Sequence, residues 1–224
     1  MWRHFGARPH GYFVEIGANH PRHYSQTWLL ESQGWEGLLV EPLSAKCVLL
    51  RRERPRSRVV QAALGAPEQR GRVRFHVAAD DDMLSSLAPE PGVNTAATEE
   101  VELRTLDDVL AEAGRPAIDF LSIDVEGHEL SVLRGFDLAR HRPRLILIED
   151  HLHHLRVHRH LQHGGYRLVK RTGCNNWYVP VGEPFALSGF LERLALWKEI
   201  HLDTPLRGWR LARRRRHASP DAES

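Results

Sequence analysis

The chain has 224 residues and a formal charge of +2, from 31 basic and 29 acidic side chains, with 42% hydrophobic and 27% charged residues. That composition fits one large globular domain or two small ones, and it excludes disorder, collagen-like repetition and a disulfide scaffold. The balanced charge excludes a domain that binds nucleic acid by its overall electrostatics, so a partner must be sought in local features.

Cys47 and Cys174 lie far apart without CxxC spacing, which suits a reducing cytosol better than a metal knuckle or a disulfide. The first ten residues contain no apolar h-region, and no segment reaches the ~18 uncharged apolar residues of a membrane span. The expectation is a cytoplasmic protein.

The apolar run 11–17 ends in Gly17 and reads as a strand, followed by helical spacing from Ser25 to Ser32 and a stop at Gly34. Residues 37–42 read as a second buried strand closed by Pro42, with Ser44 as cap of a helix carrying Val48 and Leu49. A third strand is expected over 58–63, then strands at 73–77 and 101–105 around a polar loop that looks inserted. A short helix from Leu106, a strand at 118–124, a helix at 129–133 and a strand at 144–149 continue the alternation. Residues 151–163 read as a helix, and 166–170 with 176–179 as a late hairpin. Strands alternating with helices imply an α/β fold with a mostly parallel sheet covered on both faces, the hairpin adding an antiparallel strand at its edge.

The expected division is a domain over 1–182 and a C-terminal segment over 183–224. In that segment Phe190, Leu191, Leu194, Leu196 and Trp197 have helical spacing, and Arg213 to Arg216 form a basic run. A docked amphipathic helix with a frayed basic tail is one expectation, and a peripheral membrane contact through the Trp and Arg residues is the other.

In an open α/β sheet, ligands bind beyond the carboxyl ends of the strands. The first strand delivers Glu15, Gly17, Ala18 and Asn19, where a small turn lets the backbone approach a ligand. The second ends in Glu41, placed to accept hydrogen bonds from both hydroxyls of a ribose. The pair describes a nucleoside-type cofactor site, and the absence of GxGxxG favours S-adenosylmethionine over a dinucleotide whose pyrophosphate needs a cradle. The plainer alternative makes Gly17 a turn former and Glu41 an exposed cap.

The segment Asp119-Phe120-Leu121-Ser122-Ile123-Asp124-Val125-Glu126-Gly127-His128-Glu129 ends a buried strand in carboxylates and a histidine. Asp124 could act as general base towards a hydroxyl or help bind a divalent cation, and His128 could do the same proton work. Glu126 and Glu129 also suit the first turn of a helix.

The sequence resembles the FkbM family of methyltransferases. The resemblance rests on 13–19, Tyr24-Ser25-Gln26-Thr27, 34–42, Ser85-Ser86-Leu87, Thr105-Leu106-Asp107-Asp108, 118–129 and Leu133-Arg134-Gly135. It implies a seven-stranded class I methyltransferase sheet and transfer of a methyl group from S-adenosylmethionine to an oxygen of a sugar, glycan or secondary metabolite. By position, Glu15, Gly17, Ala18 and Asn19 match the loop at the methionine end, Glu41 with Pro42 the ribose side, and Ala62 and Ala63 the approach to adenine. Ser85 and Ser86 match a loop closing over the cofactor. His20-Pro21 departs from the family's acidic residue and Gly, and Glu15 replaces its commoner Asp.

An acceptor hydroxyl must be deprotonated, and Asp124, His128, Glu126, Glu149 and His151 are the strand-end groups available, in which Asp124 leads. Asp124 with Glu149 could also hold a hard cation. His151, His154 and His158 would share one helical face, which invites zinc, although a polar surface explains the histidine run as well. The alternatives to an O-methyltransferase are a catalytically inactive binding protein of the same fold and an RNA-modifying enzyme using the Arg tail.

Overall fold

The computed structural model describes residues 3–6, 8–78, 95–114, 117–150, 152 and 155–204. Strands β1 (Tyr12–Ile16) and β2 (Glu36–Glu41) flank helix α1 (Trp28–Ser32) in the chain, and α2 (Ser44–Glu53) leads to β3 (Ser57–Gln61). After a short β4 (Ala63–Leu64) and a 3-10 turn at Pro67–Gln69 come β5 (Gly71–Ala78) and β6 (Thr95–Arg104). Helix α3 (Leu106–Ala113), β7 (Phe120–Ile123), α4 (Glu129–Arg134), α5 (Leu138–His141) and β8 (Leu145–Glu149) follow. The chain continues through α6 (Arg156–His163), β9 (Tyr166–Thr172), β10 (Asn175–Pro180) and α7 (Phe190–Lys198), which runs on as a wider π turn, Glu199–Asp203.

Seven strands form one sheet in the order β3-β2-β1-β7-β8-β10-β9. The first five are parallel, and β10 runs antiparallel to both β8 and β9, which is the expected hairpin at the sheet's edge. Alternation along each strand sorts side chains onto two faces. Val14, Ile16, Leu38, Val40, Leu121 and Ile123 pack beneath α3, α4 and α6, while Phe13, Leu39, Phe120, Leu145 and Leu147 face α1 and α2. Both faces are therefore dry, and β7 and β8 are nearly uninterrupted apolar runs, as buried parallel strands require. Chain order reverses between β1 and β7, and that switch point opens the crevice that holds the candidate site.

Local chemistry explains several element ends. Thr105 caps α3 by accepting from the Asp108 N–H at 3.1 Å, and Gly114 closes the helix in a left-handed conformation with φ 60°. Ser44 is the first helical residue of α2 and Leu43 its cap; Cys47 and Leu50 are the buried residues of this helix, whereas Val48 is 65% exposed. The expected third strand is split: β3 stays in the main sheet and β4 joins a separate sheet, β4-β6-β5, packed around Leu43, Ala63, Phe75, Val101 and Leu103. Helix α6 starts only at Arg156, because Leu155 takes φ 51° and breaks any longer helix. Of the three histidines expected to share a helical face, His151 and His154 lie outside the described residues, and His158 is a buried residue of α6. Among the described residues no helix is long and apolar enough to cross a membrane.

Candidate active site

Three strand tips build the crevice. Gly17 follows β1 with φ 77°, and a Cβ there would stand 1.8 Å from the carbonyl oxygen of Asp124. Only glycine fits between the tips of β1 and β7. The Gly17 and Ala18 N–H groups donate to the carbonyl of Val40 at 3.0 and 3.2 Å, and the Asp124 N–H donates to that of Ile16 at 3.1 Å. The turn is thereby clamped between its two neighbouring strands.

Glu41, the last residue of β2, is 3% exposed and holds two backbones with one carboxylate. Its Oε2 accepts from the Asn19 N–H at 2.9 Å and its Oε1 from the Leu43 N–H at 3.0 Å. Glu41 is thus a pocket-lining acceptor rather than an exposed cap. Pro42, Ala62 and Ala63 continue the wall beside it, joined by Phe75 from the second sheet.

Glu15 lines the same crevice but points its carboxylate at the loop before α1. It accepts from Ser25 Oγ at 3.0 Å, the Gln26 N–H at 2.7 Å and Thr27 Oγ1. Behind that loop, buried Arg54 donates to Glu31, to Thr27 Oγ1 at 2.8 Å, to Ser25 Oγ at 3.1 Å and to the Pro21 carbonyl at 3.1 Å. Burial pushes the Glu15 carboxyl up, while the Thr27 hydroxyl and the Arg54 guanidinium oppose that rise. Glu15 shapes the loop that carries His23, Tyr24 and Gln26 to the crevice rim.

Opposite Glu41, Asp124 follows β7, and Glu149 ends the adjacent β8. One carboxylate oxygen from each of Asp124, Glu126 and Glu149 lies within 4.8 Å of the others. Burial raises the Asp124 carboxyl well above the ordinary carboxylate range, helped by a hydrogen bond to Glu149 and by the charges of Glu149, Glu126 and Glu129. Three such groups cannot all ionise unaided; they share a proton or take a hard cation. Glu129 is turned away, accepting from the Gly127 N–H at 3.0 Å at the start of α4. His128, the N-cap residue of α4, lines the crevice.

The model of the methyltransferase FkbM domain matches residues 15–168. The chain belongs to the FkbM methyltransferase family. Among solved structures it is similar to methyltransferase FkbM from Methylobacillus flagellatus KT, at 18% identity and TM-score 0.46 over 76% of this chain and 44% of that one. It therefore spans less than half the length of that relative. A TehB-like SAM-dependent methyltransferase from Corynebacterium glutamicum is similar at 11% identity and TM-score 0.41, over 80% of this chain and 85% of that one. No curated protein matches the sequence.

The family match begins at Glu15 and encloses every candidate site residue. Glu15, Gly17, Ala18, Asn19, Glu41, Pro42, Ala62, Ala63, Asp124, Glu126 and His128 line one crevice, with Glu149 behind Asp124. Ser85 and Ser86 lie outside the described residues. The departure at His20-Pro21 leaves the turn intact, because His20 Nδ1 accepts from the Arg22 and His23 N–H groups at 3.1 and 3.0 Å. His158 is buried against the Tyr178 hydroxyl at 3.2 Å. Sequence reasoning missed Lys46 and Phe75 as lining residues and the whole Arg54 network. The run Arg51-Arg52-Glu53-Arg54 looks like a solvated helix end, and only burial separates Arg54 from its neighbours.

Proposed function

We propose that this chain is an S-adenosylmethionine-dependent O-methyltransferase acting on a hydroxyl of a sugar, a glycan or a secondary metabolite. The observation that carries the reading is the Glu41–Asn19 contact at the switch point, facing a proton-sharing carboxylate cluster across one crevice. The lining suits the cofactor: a Gly17-Ala18 turn held close under the tip of β7, a carboxylate for two vicinal hydroxyls, and small Ala62 and Ala63 where a flat base needs room.

The cofactor supplies an electrophilic methyl on a sulfonium. The Gly17-Ala18 turn would admit its amino-acid end, Glu41 would accept from the ribose hydroxyls, and Pro42, Ala62 and Ala63 would flank the base. Asp124, in its ionised form, would accept the proton of the acceptor hydroxyl, which would then be the nucleophile for the methyl group that the bound cofactor supplies. Glu149 shares that proton and keeps Asp124 basic near neutral pH. His128 and Glu126 stand on the same side and orient the acceptor. A divalent cation on Asp124 and Glu149 would serve the same end by acidifying the hydroxyl.

Incubation of the chain and S-adenosylmethionine with a panel of saccharides and hydroxylated metabolites, read by mass spectrometry, tests the reading. The expected result is gain of one methyl group on a hydroxyl, absent with Asp124→Ala. Binding of the cofactor with no methylated product across glycans, sugars and hydroxylated metabolites would favour a binding protein of the same fold.

A further inference from the structure

Helix α7 rests on the sheet's edge strand with its polar side inward. Glu192 pairs with Lys170 of β9 at 3.0 Å, and Glu199, the next residue after α7, pairs with Arg171. Lys170 also donates to the Leu187 carbonyl at 3.2 Å, and Ser188 Oγ to that of Val169. These anchors set the helix's rotation about its own axis. At 100° per residue, Glu192 and Glu199 lie about 140–180° from Phe190, Leu194 and Trp197 and about a quarter turn from Leu191.

That apolar stripe therefore faces outward, with Phe190 78% and Leu191 77% exposed and Leu194 and Trp197 about half so. Of the apolar set expected to dock, Leu196 is half-buried in a groove with Val169 of β9 and Phe185, whereas Phe190, Leu191, Leu194 and Trp197 are exposed. Single exposed apolar residues are ordinary, but four aligned on one helix and turned outward by ion pairs mark a contact surface.

The charges say what covers it. Arg193 is exposed at one border of the stripe, beside Trp197, and Lys198 is exposed between Leu191 and Leu194. The sequence beyond the described residues adds Arg207, Trp209, Arg210 and Arg213 to Arg216, with no acidic residue between 205 and 220. We propose that α7 and the basic segment after it dock this protein on the surface of an anionic lipid bilayer. The helix lies in the interface plane, Phe190, Leu191, Leu194 and Trp197 enter the acyl boundary, and the cations meet lipid phosphates. An RNA partner would use the cations and leave the aliphatic stripe without a role. The proposal is independent of the methyl-transfer reading.

Co-sedimentation of the full chain with vesicles of phosphatidylcholine, with and without one-third phosphatidylglycerol, tests it. The wild type pellets with the anionic vesicles and is released by high salt, each engaged cation strengthening partition about fivefold. Leu191→Glu with Leu194→Glu, both exposed, weakens partition by at least about tenfold with circular dichroism and melting unchanged. Replacing Arg213 to Arg216 by Gln removes the preference for anionic lipid. A wild type that stays in the supernatant with both vesicles overturns the proposal. So does a double variant that pellets like wild type, or a chain whose stripe proves to be a dimer interface or to bind an RNA oligomer in place of vesicles.

Discussion

The Asn19 N–H donates to Oε2 of Glu41 at 2.9 Å, which ties the turn after the first strand to the tip of the second. One side chain thus sets the distance between the two surfaces that a nucleoside and its amino-acid tail would touch. Glu41 can do this because Gly17 lets the turn fold under the tip of β7, so site shape depends on a backbone position before it depends on any polar group.

Gly17→Ala places a methyl group 1.8 Å from the Asp124 carbonyl oxygen at a φ of 77°. The tips of β1 and β7 must separate, at a cost of about 2–4 kcal/mol in folding stability. Urea unfolding checks the stability loss, and cofactor affinity should fall with it. A variant as stable as wild type would show that the turn is not wedged as described.

Arg54 neutralises buried Glu31 and stands 3.9 Å from Glu15, with 1% of its side chain exposed. Arg54→Met leaves those carboxylates buried without their cation, which costs about 3–5 kcal/mol. Arg54→Lys recovers little, because an ammonium cannot reach Glu31, Thr27, Ser25 and Pro21 together as the planar guanidinium does. Equilibrium unfolding of the two variants decides this, and a neutral Arg54→Met would refute it.

As the proposed base, Asp124 would work only when ionised, and its carboxyl is raised by burial and by Glu149. Turnover is therefore suppressed below that raised value and climbs as pH rises through it, in the neutral range rather than near the usual carboxylate range. Glu149→Gln removes the neighbouring charge, so the acid limb moves to lower pH; Asp124→Asn loses about 100- to 10,000-fold in turnover. Exhaustive chelation leaves the limb in place. A chelator-sensitive rate with its limb in the ordinary carboxylate range would instead assign the cluster to a cation.

His158 is 4% exposed, and burial pulls its imidazole down to about 4, with the charges of His201 and Arg159 acting in the same direction. The unfolded state then binds the extra proton first as pH falls. Stability attributable to His158 is full above its ordinary value of 6.5 and is lost as pH drops towards 4, by about 2–3 kcal/mol. His158→Gln, which can still reach the Tyr178 hydroxyl, flattens that part of the curve. Identical pH slopes for the two proteins would contradict the burial argument.

The sheet and the crevice were legible because their signals are local. A buried apolar run ending in Gly17, an acid at the tip of the next strand and Asp124 after a third can each be read within a few residues. The split of the third strand was not, since an apolar run across Val59 to Leu64 looks the same whether one sheet or two receive it. Leu155 gave no sign of its φ of 51°, a conformation that leucine rarely adopts. The Arg54 network joins residues 15 to 54 through bonds from the end of α2 to Glu31 and to the loop before α1, which no short window contains. Apolar spacing on α7 was readable, but its direction is set by Lys170 and Arg171 on β9.

Calorimetric titration of S-adenosylmethionine into the wild type and Glu41→Ala tests the account most directly. Saturable binding to the wild type is expected, weakened about 10- to 150-fold by the variant through loss of charge-assisted hydrogen bonds. No binding to the wild type, or equal affinity in both proteins, would contradict it.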